Sequence, residues 1–182
     1  MLSDVRDVIF QRDPFDFEFA DSLCVFLEDD REVMKDCPHN SAWLKTAYGE
    51  KTLLELGDNV ASCSGVTIGT TAEVMNYLEL MVDQMLRLKF HASGMDQGVH
   101  NYLLYEEKIE NVRLFPNRRG PVFTMGKTVD LPTRFDAEGF VVNENGTVPH
   151  VLHQYERHIE HCKLEFDPDS VRVRPNSQTS IK

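Results

Sequence analysis

Two carboxylates near the start of the chain, Asp4 and Asp7, and a histidine-rich stretch from His150 to His158 carry the residue types of a divalent-cation site. Asp4 and Asp7 stand where a short apolar entry gives way to Val8-Ile9-Phe10, and Pro14 stops any regular element at Asp13. Carboxylates at the end of a buried strand are rigidly held with their oxygens outward. That suits a hard cation that shares its remaining positions with phosphate. Two carboxylates with an imidazole fit Mn²⁺ or Mg²⁺, the imidazole favouring the softer ion. The plain alternative is a solvated turn, the commoner fate of a short acidic pair. Two further polar clusters, Ser64-Gly65 and Asp96-Gln97, fall at element ends. Ends of neighbouring strands in an open α/β sheet commonly converge on one crevice.

The elements must position these groups within 182 residues, a length that suits one domain with a substantial core. Hydrophobic residues make up 41% of the chain, far above a disordered composition. Nineteen basic against thirty acidic residues leave a net charge of −11, which repels a phosphate backbone. The basic residues cluster only at Arg118-Arg119 and at Arg172/Arg174, so nucleic acid is set aside as a partner. Cys24, Cys37, Cys63 and Cys162 lie far apart without C-x-x-C spacing, which excludes a zinc knuckle and leaves buried thiols as the expectation. No apolar run approaches the ~18 residues of a membrane span, and no signal-peptide pattern opens the chain. Glu144-Asn145-Gly146 is a tight-turn sequence overlapping the sequon Asn145-Gly146-Thr147.

Leu23-Cys24-Val25-Phe26-Leu27 reads as a central strand buried on both faces. Asn40 or Ser41 is expected to cap a helix from Ala42 to Tyr48, and a second helical turn runs from Lys51 to Leu56. Val60 to Thr70 reads as strand, tight turn at Ser64-Gly65, strand. Thr70 or Thr71 then caps the clearest helix, to about Leu88, with Val74, Leu78, Met81, Met85 and Leu88 in one stripe. A further helix is expected from Val99 to Glu106 with Asp96 as its N-cap. Val112–Phe115 and Val122–Met125 read as strands, and Phe140–Asn143 pairs with Val148 onward across the Asn145-Gly146 turn. Early alternation of strands and helices followed by a β-rich stretch predicts an α/β fold with a mixed sheet.

The motifs resemble those of nucleotide-diphospho-sugar transferases, glycosyltransferases of the GT-A type. Ser3-Asp4-Val5-Arg6-Asp7 followed by an apolar run and Asp13-Pro14-Phe15 is similar to their metal-binding acidic motif. Ser62 to Gly69 resembles their small-residue strand beside the sugar, Gly94-Met95-Asp96-Gln97-Gly98 their D-Q helix start, and Val151-Leu152-His153-Gln154-Tyr155 the late histidine completing the metal site. Four motifs in the family's order span residues 3 to 158.

The resemblance implies a mixed, mainly parallel sheet with flanking helices in one partial GT-A-like domain over residues 1–166, truncated at its N-terminus, with a polar tail over 167–182. It implies transfer of a sugar from a nucleotide-diphosphate donor to a glycan, protein or small-molecule acceptor. Asp4, Asp7 and His153 would hold Mn²⁺ or Mg²⁺ against the diphosphate, and Arg118 or Arg119 would add a cationic contact. Asp96 would face the transferring sugar as hydroxyl anchor or base, a role compatible with an N-cap. Gln97 would offer an amide to sugar hydroxyls, and Ser64-Gly65 would line the sugar.

Two departures stand out. Asp4-Val5-Arg6-Asp7 has two intervening residues where the commoner motif has one, so both carboxylates reach one ion only if the chain turns between them. Only three residues precede the motif, where the family has about half a nucleotide-binding unit. Two expectations follow: a complete chain whose buried strand edges are left unpaired and which is inactive alone, or a fragment whose missing part supplies the base pocket. The competing expectations are a non-catalytic remnant that binds sugar or protein and, last, a phosphohydrolase or phosphotransferase, which the spacing of Asp4 and Asp7 and the absence of a following Thr disfavour. The compartment is cytoplasmic by default, or the Golgi or secretory lumen for a longer eukaryotic chain.

Overall fold

The computed structural model describes residues 1–89, 92–161 and 163–176, so Cys162 lies outside the described residues. It is a mixed α/β structure whose sheets are small. Two compact units divide it: Met1–Leu2 with Phe19–Leu114, and Ser3–Glu18 with Phe115–Lys182. No helix among the described residues is long and apolar enough to cross a membrane.

The first unit is built on β3 (Leu23–Leu27), the apolar run, whose first four residues are fully buried. It pairs antiparallel with β4 (Ser62–Gly69), in a sheet of order β1-β4-β3-β5, where β1 is Leu2–Ser3 and β5 is Val112–Phe115. Residues 60–70 were expected to turn at Ser64-Gly65, yet β4 runs straight through them. The register jumps there, from Val25↔Thr67 to Phe26↔Cys63, so the glycine marks a bulge in one strand.

Helix α1 (Pro38–Tyr48) starts earlier than its expected cap, because Pro38 occupies the first turn, where a missing N–H costs nothing. Asn40 is therefore inside the helix and buried. Helix α2 (Glu50–Leu56) ends at Leu56 as expected, with Gly57 as its C-cap. Helix α3 (Thr71–Arg87) is capped by Thr70, whose hydroxyl accepts from Glu73 N–H. Its stripe seals a core of Leu23, Val25, Val74, Tyr77, Met81, Val99 and Leu103. Helix α4 (Met95–Tyr105) begins four residues before the expected Val99. Gly94 turns the chain at φ 81°, a left-handed conformation that glycine adopts without strain. Asp96 thus lies in the first turn, not at the cap.

In the second unit, β9 (Val151–His153) is the central strand between β2 (Val8–Phe10), antiparallel, and β6 (Val122–Thr124), parallel. Leu152 is the ladder partner of both Ile9 and Phe123, and the three share a core with Met125, Val141, Leu164 and Val173. By alternation, Val8, His153 and Thr124 occupy the opposite face. A slip of one residue would drive His153 into the apolar core.

Three expectations fail, two of them in this unit and one across the sheets of both. Strand β8 (Val141–Val142) pairs with β7 (Arg134–Phe135), not across the Asn145-Gly146 turn. The turn itself forms, with Gly146 at φ 81° and Asn145 Oδ1 accepting from Thr147 N–H at 3.1 Å. The segment from 167, expected as a polar tail, contains β11 (Arg172–Pro175), paired with β10 (Leu164–Asp167) through Phe166↔Val173. Only Val173 of that strand faces inward, so the apolar signal is too thin to show in composition. A mainly parallel sheet is also overturned: β3–β4, β2–β9, β7–β8 and β10–β11 are antiparallel, and β6–β9 is parallel. Apolar runs report burial on both faces but carry no direction. Between β9 and β10 lies the short helix α5 (Glu156–Glu160).

Candidate functional site

Asp4 follows β1, the chain bends over residues 5–7, and β2 starts at Val8. That bend is the turn that the spacing of the acidic motif requires. Val8 faces His153 across the β2–β9 ladder, and Gln154 N–H donates to Asp7 O at 2.8 Å, fixing Asp7 beside the end of β9. Gln154 itself sits at φ 57°, where the chain leaves the strand.

As a result three residues about 150 positions apart meet. His153 Nε2 lies 3.2 Å from Asp4 Oδ2 and 3.8 Å from Asp7 Oδ1, and one donor atom from each lies within 4.8 Å of the others. Adjacent ligands of an octahedral ion at ~2.1 Å stand about 3 Å apart, so the donor set is near a cation's dimensions. The His153 ring is fully buried, Asp7 is 16% exposed and Asp4 57% exposed. The site is therefore anchored inside and open at one carboxylate. A hydrogen bond with His153, reinforced by its charge and that of Arg6, holds the Asp4 carboxyl below the usual range, against the opposing effect of partial burial. Arg6 is drawn aside to Glu156 at 3.2 Å.

In the same unit Arg118 and Arg119 share one carboxylate: Arg118 Nη1 lies 2.7 Å and Arg119 Nε 3.2 Å from Glu144. Both expected phosphate contacts thus have an internal counter-ion.

In the first unit, Ser64, Asp96 and Gln97 come together at the start of α4. Ser64 Oγ donates to Asp96 Oδ2 at 3.2 Å, and Ser64 N–H donates to Gln97 Oε1 at 2.8 Å. Asp96 is exposed, so its carboxylate and the Ser64 hydroxyl form a polar pair at the surface. Gly65 follows within the bulge. Gln97 is buried, and its amide N–H groups go to Ser62 O at 2.9 Å, Asn40 Oδ1 at 3.3 Å and Glu28 Oε1 at 3.4 Å. Its amide holds the strand bulge to the helix.

Sequence reasoning passed over the remainder of this network. Asn40 Nδ2 donates to Glu28 Oε2 at 3.0 Å, and Asn101 Nδ2 to Ser62 O at 2.9 Å. His100 lies with Nε2 2.9 Å from Ser62 Oγ and Nδ1 2.8 Å from the Tyr77 hydroxyl. Burial pushes the His100 imidazole down to about 4. A signal was present: Gln97, His100 and Asn101 follow at steps of three and one, a polar face on a helix whose neighbours Val99 and Leu103 are apolar.

Compared with known proteins, the chain matches no family model, no curated protein and no solved structure.

Proposed function

We propose that the protein is a metal-dependent glycosyltransferase of the GT-A type, or the catalytic-side part of one. In this reading Asp4, Asp7 and His153 hold Mn²⁺ or Mg²⁺ against the diphosphate of a nucleotide sugar. The observation that carries it is the meeting of the opening acidic pair with His153 through the β2–β9 register. The donor chemistry fits: two carboxylate oxygens and one imidazole nitrogen leave positions for phosphate oxygens, and the imidazole favours Mn²⁺. A cation so bound supplies Lewis-acid neutralisation of the leaving diphosphate.

The other residues act through their own atoms. Within the first unit, the Asp96 carboxylate and the Ser64 hydroxyl form a polar pair suited to sugar hydroxyls, and Asp96 can accept a proton. Gly65 offers close backbone approach. Gln97 positions Ser64 by gripping its N–H. Arg118 and Arg119 meet a phosphate oxygen only in competition with Glu144. The acceptor is a glycan, protein or small molecule.

Titrating Mn²⁺ into the chain by calorimetry, then uridine and guanosine diphosphates with and without Mn²⁺, tests this. One Mn²⁺ per chain and nucleotide binding that requires it are expected. No Mn²⁺ binding, or binding unaltered by Asp7→Asn, overturns the site. Metal-dependent nucleotide binding without sugar transfer to any acceptor would instead favour the non-catalytic module.

A further inference from the structure

Helix α3 turns a second face outward. Glu73, Asn76, Leu80 and Asp83 follow at steps of three and four on it, and with the segment from Lys108 to Asn111 they line a groove of about 470 Å³ in the first unit. Its floor is apolar. Leu80 and Ile109 form it, Ile109 at the margin of the core and Leu80 half-buried against it. Its rim is acidic, with carboxylates of Glu73, Glu79, Asp83 and Glu110 against the single ammonium of Lys108. Asp83 is already held by Arg87 at 2.8 Å, and Glu73 accepts from Asn111 at 3.2 Å. Glu79 and Glu110 are exposed and have no such ion pair among the described residues.

We propose that this groove docks a basic, amphipathic peptide segment of a partner protein. An apolar side chain of the partner covers Leu80 and Ile109, and flanking Lys or Arg side chains face Glu79 and Glu110. Charge complementarity selects the occupant. A chain of net charge −11 with a rim of four carboxylates repels nucleic acid and anionic membrane, and attracts a cationic segment. The apolar floor excludes a bare polycation as the best fit, because a lysine tract without an apolar anchor leaves Leu80 and Ile109 wet. A short amphipathic segment satisfies both conditions at once, as in helix-in-groove recognition. The inference concerns a different surface from the proposed transfer chemistry and does not depend on it.

The test is fluorescence anisotropy with the full chain and a labelled model peptide of about 14 residues carrying Leu and Lys in a helical repeat. Expected are saturable binding that weakens with salt, and a loss of roughly tenfold or more in the double variant Glu79→Lys/Glu110→Lys. Both substitutions are at exposed positions, so circular dichroism should match the parent. Asp36→Lys, an exposed change outside the groove, should shift affinity less than about twofold. The proposal is overturned if a Lys/Ser peptide lacking the leucines binds equally well, if the double variant binds as the parent does, or if Asp36→Lys costs as much.

Discussion

Two fully buried histidines, His100 in the first unit and His153 in the second, differ in the company they keep. His100 meets two neutral hydroxyls, Ser62 at 2.9 Å and Tyr77 at 2.8 Å. Each ring nitrogen is satisfied inside the fold, and burial keeps the ring uncharged. His153 meets two carboxylates, one of them largely in solvent. An imidazole tied into hydroxyls and amides rigidifies a core; one turned toward open carboxylates leaves lone pairs for something from outside. Burial alone does not distinguish the two. The chemical type of the partner, and whether that partner reaches water, does.

The comparison can be broken most decisively at Asp7. Removing an outer partner of a metal ligand already costs about 10- to 100-fold in affinity, so losing the proposed ligand in Asp7→Asn should cost more than that. Calorimetry should find no measurable Mn²⁺ binding, while the urea midpoint moves little; a retained affinity would place His153 in the same class as His100.

Gln97→Ala is the converse experiment. It strips partners from Ser64 N–H and Ser62 O and from the buried Asn40 and Glu28, so about 3 kcal/mol of stability should be lost in urea unfolding. A loss under ~1 kcal/mol would mean that the network is not what holds α4 to β4.

Acid sharpens the distinction further. The His100 ring in the folded chain titrates only near about 4, whereas in the unfolded chain it gains its proton near the ordinary 6.5. Its contribution is therefore intact above pH 6.5 and drains away as pH falls from 6.5 toward 4, by ~3 kcal/mol in all. His158, also lowered by burial, acts in the same direction. Urea titrations across that window should show the decline, and His100→Gln should flatten most of it. An equal slope in that variant would remove His100 as its source.

At the small end is the surface pair Arg174–Glu165 at 2.8 Å. Arg174→Ala should cost less than ~1 kcal/mol, since an exposed pair gains little in water. A large loss there would show that charge geometry matters as much on this surface as inside.

Much of the first unit was legible. The unbroken apolar run of Leu23–Leu27 and the Thr70-capped stripe of α3 are local patterns, and both stand where periodicity puts them. Helix starts were harder, because Asp96 and Asn40 are good capping residues that the fold uses elsewhere: Asp96 holds Ser64, and Asn40 binds Glu28. Strand pairing in the second unit was not legible. The segments Arg134–Phe135 and Val141–Val142 are two residues each, too short for any period to register.

For the site, chain order and residue type nominated Asp4, Asp7 and His153, and separately Ser64, Asp96 and Gln97. Which of these meet was a matter of tertiary structure alone. The β2–β9 register sets His153 against a bend that no propensity encodes, and the bulge in β4 turns Ser64 onto Asp96. Composition and periodicity act over a few residues, within reach of one turn or one strand. A contact across 149 positions depends on which strand edges find each other, and that choice is made by burying Ile9, Leu152 and Phe123 together.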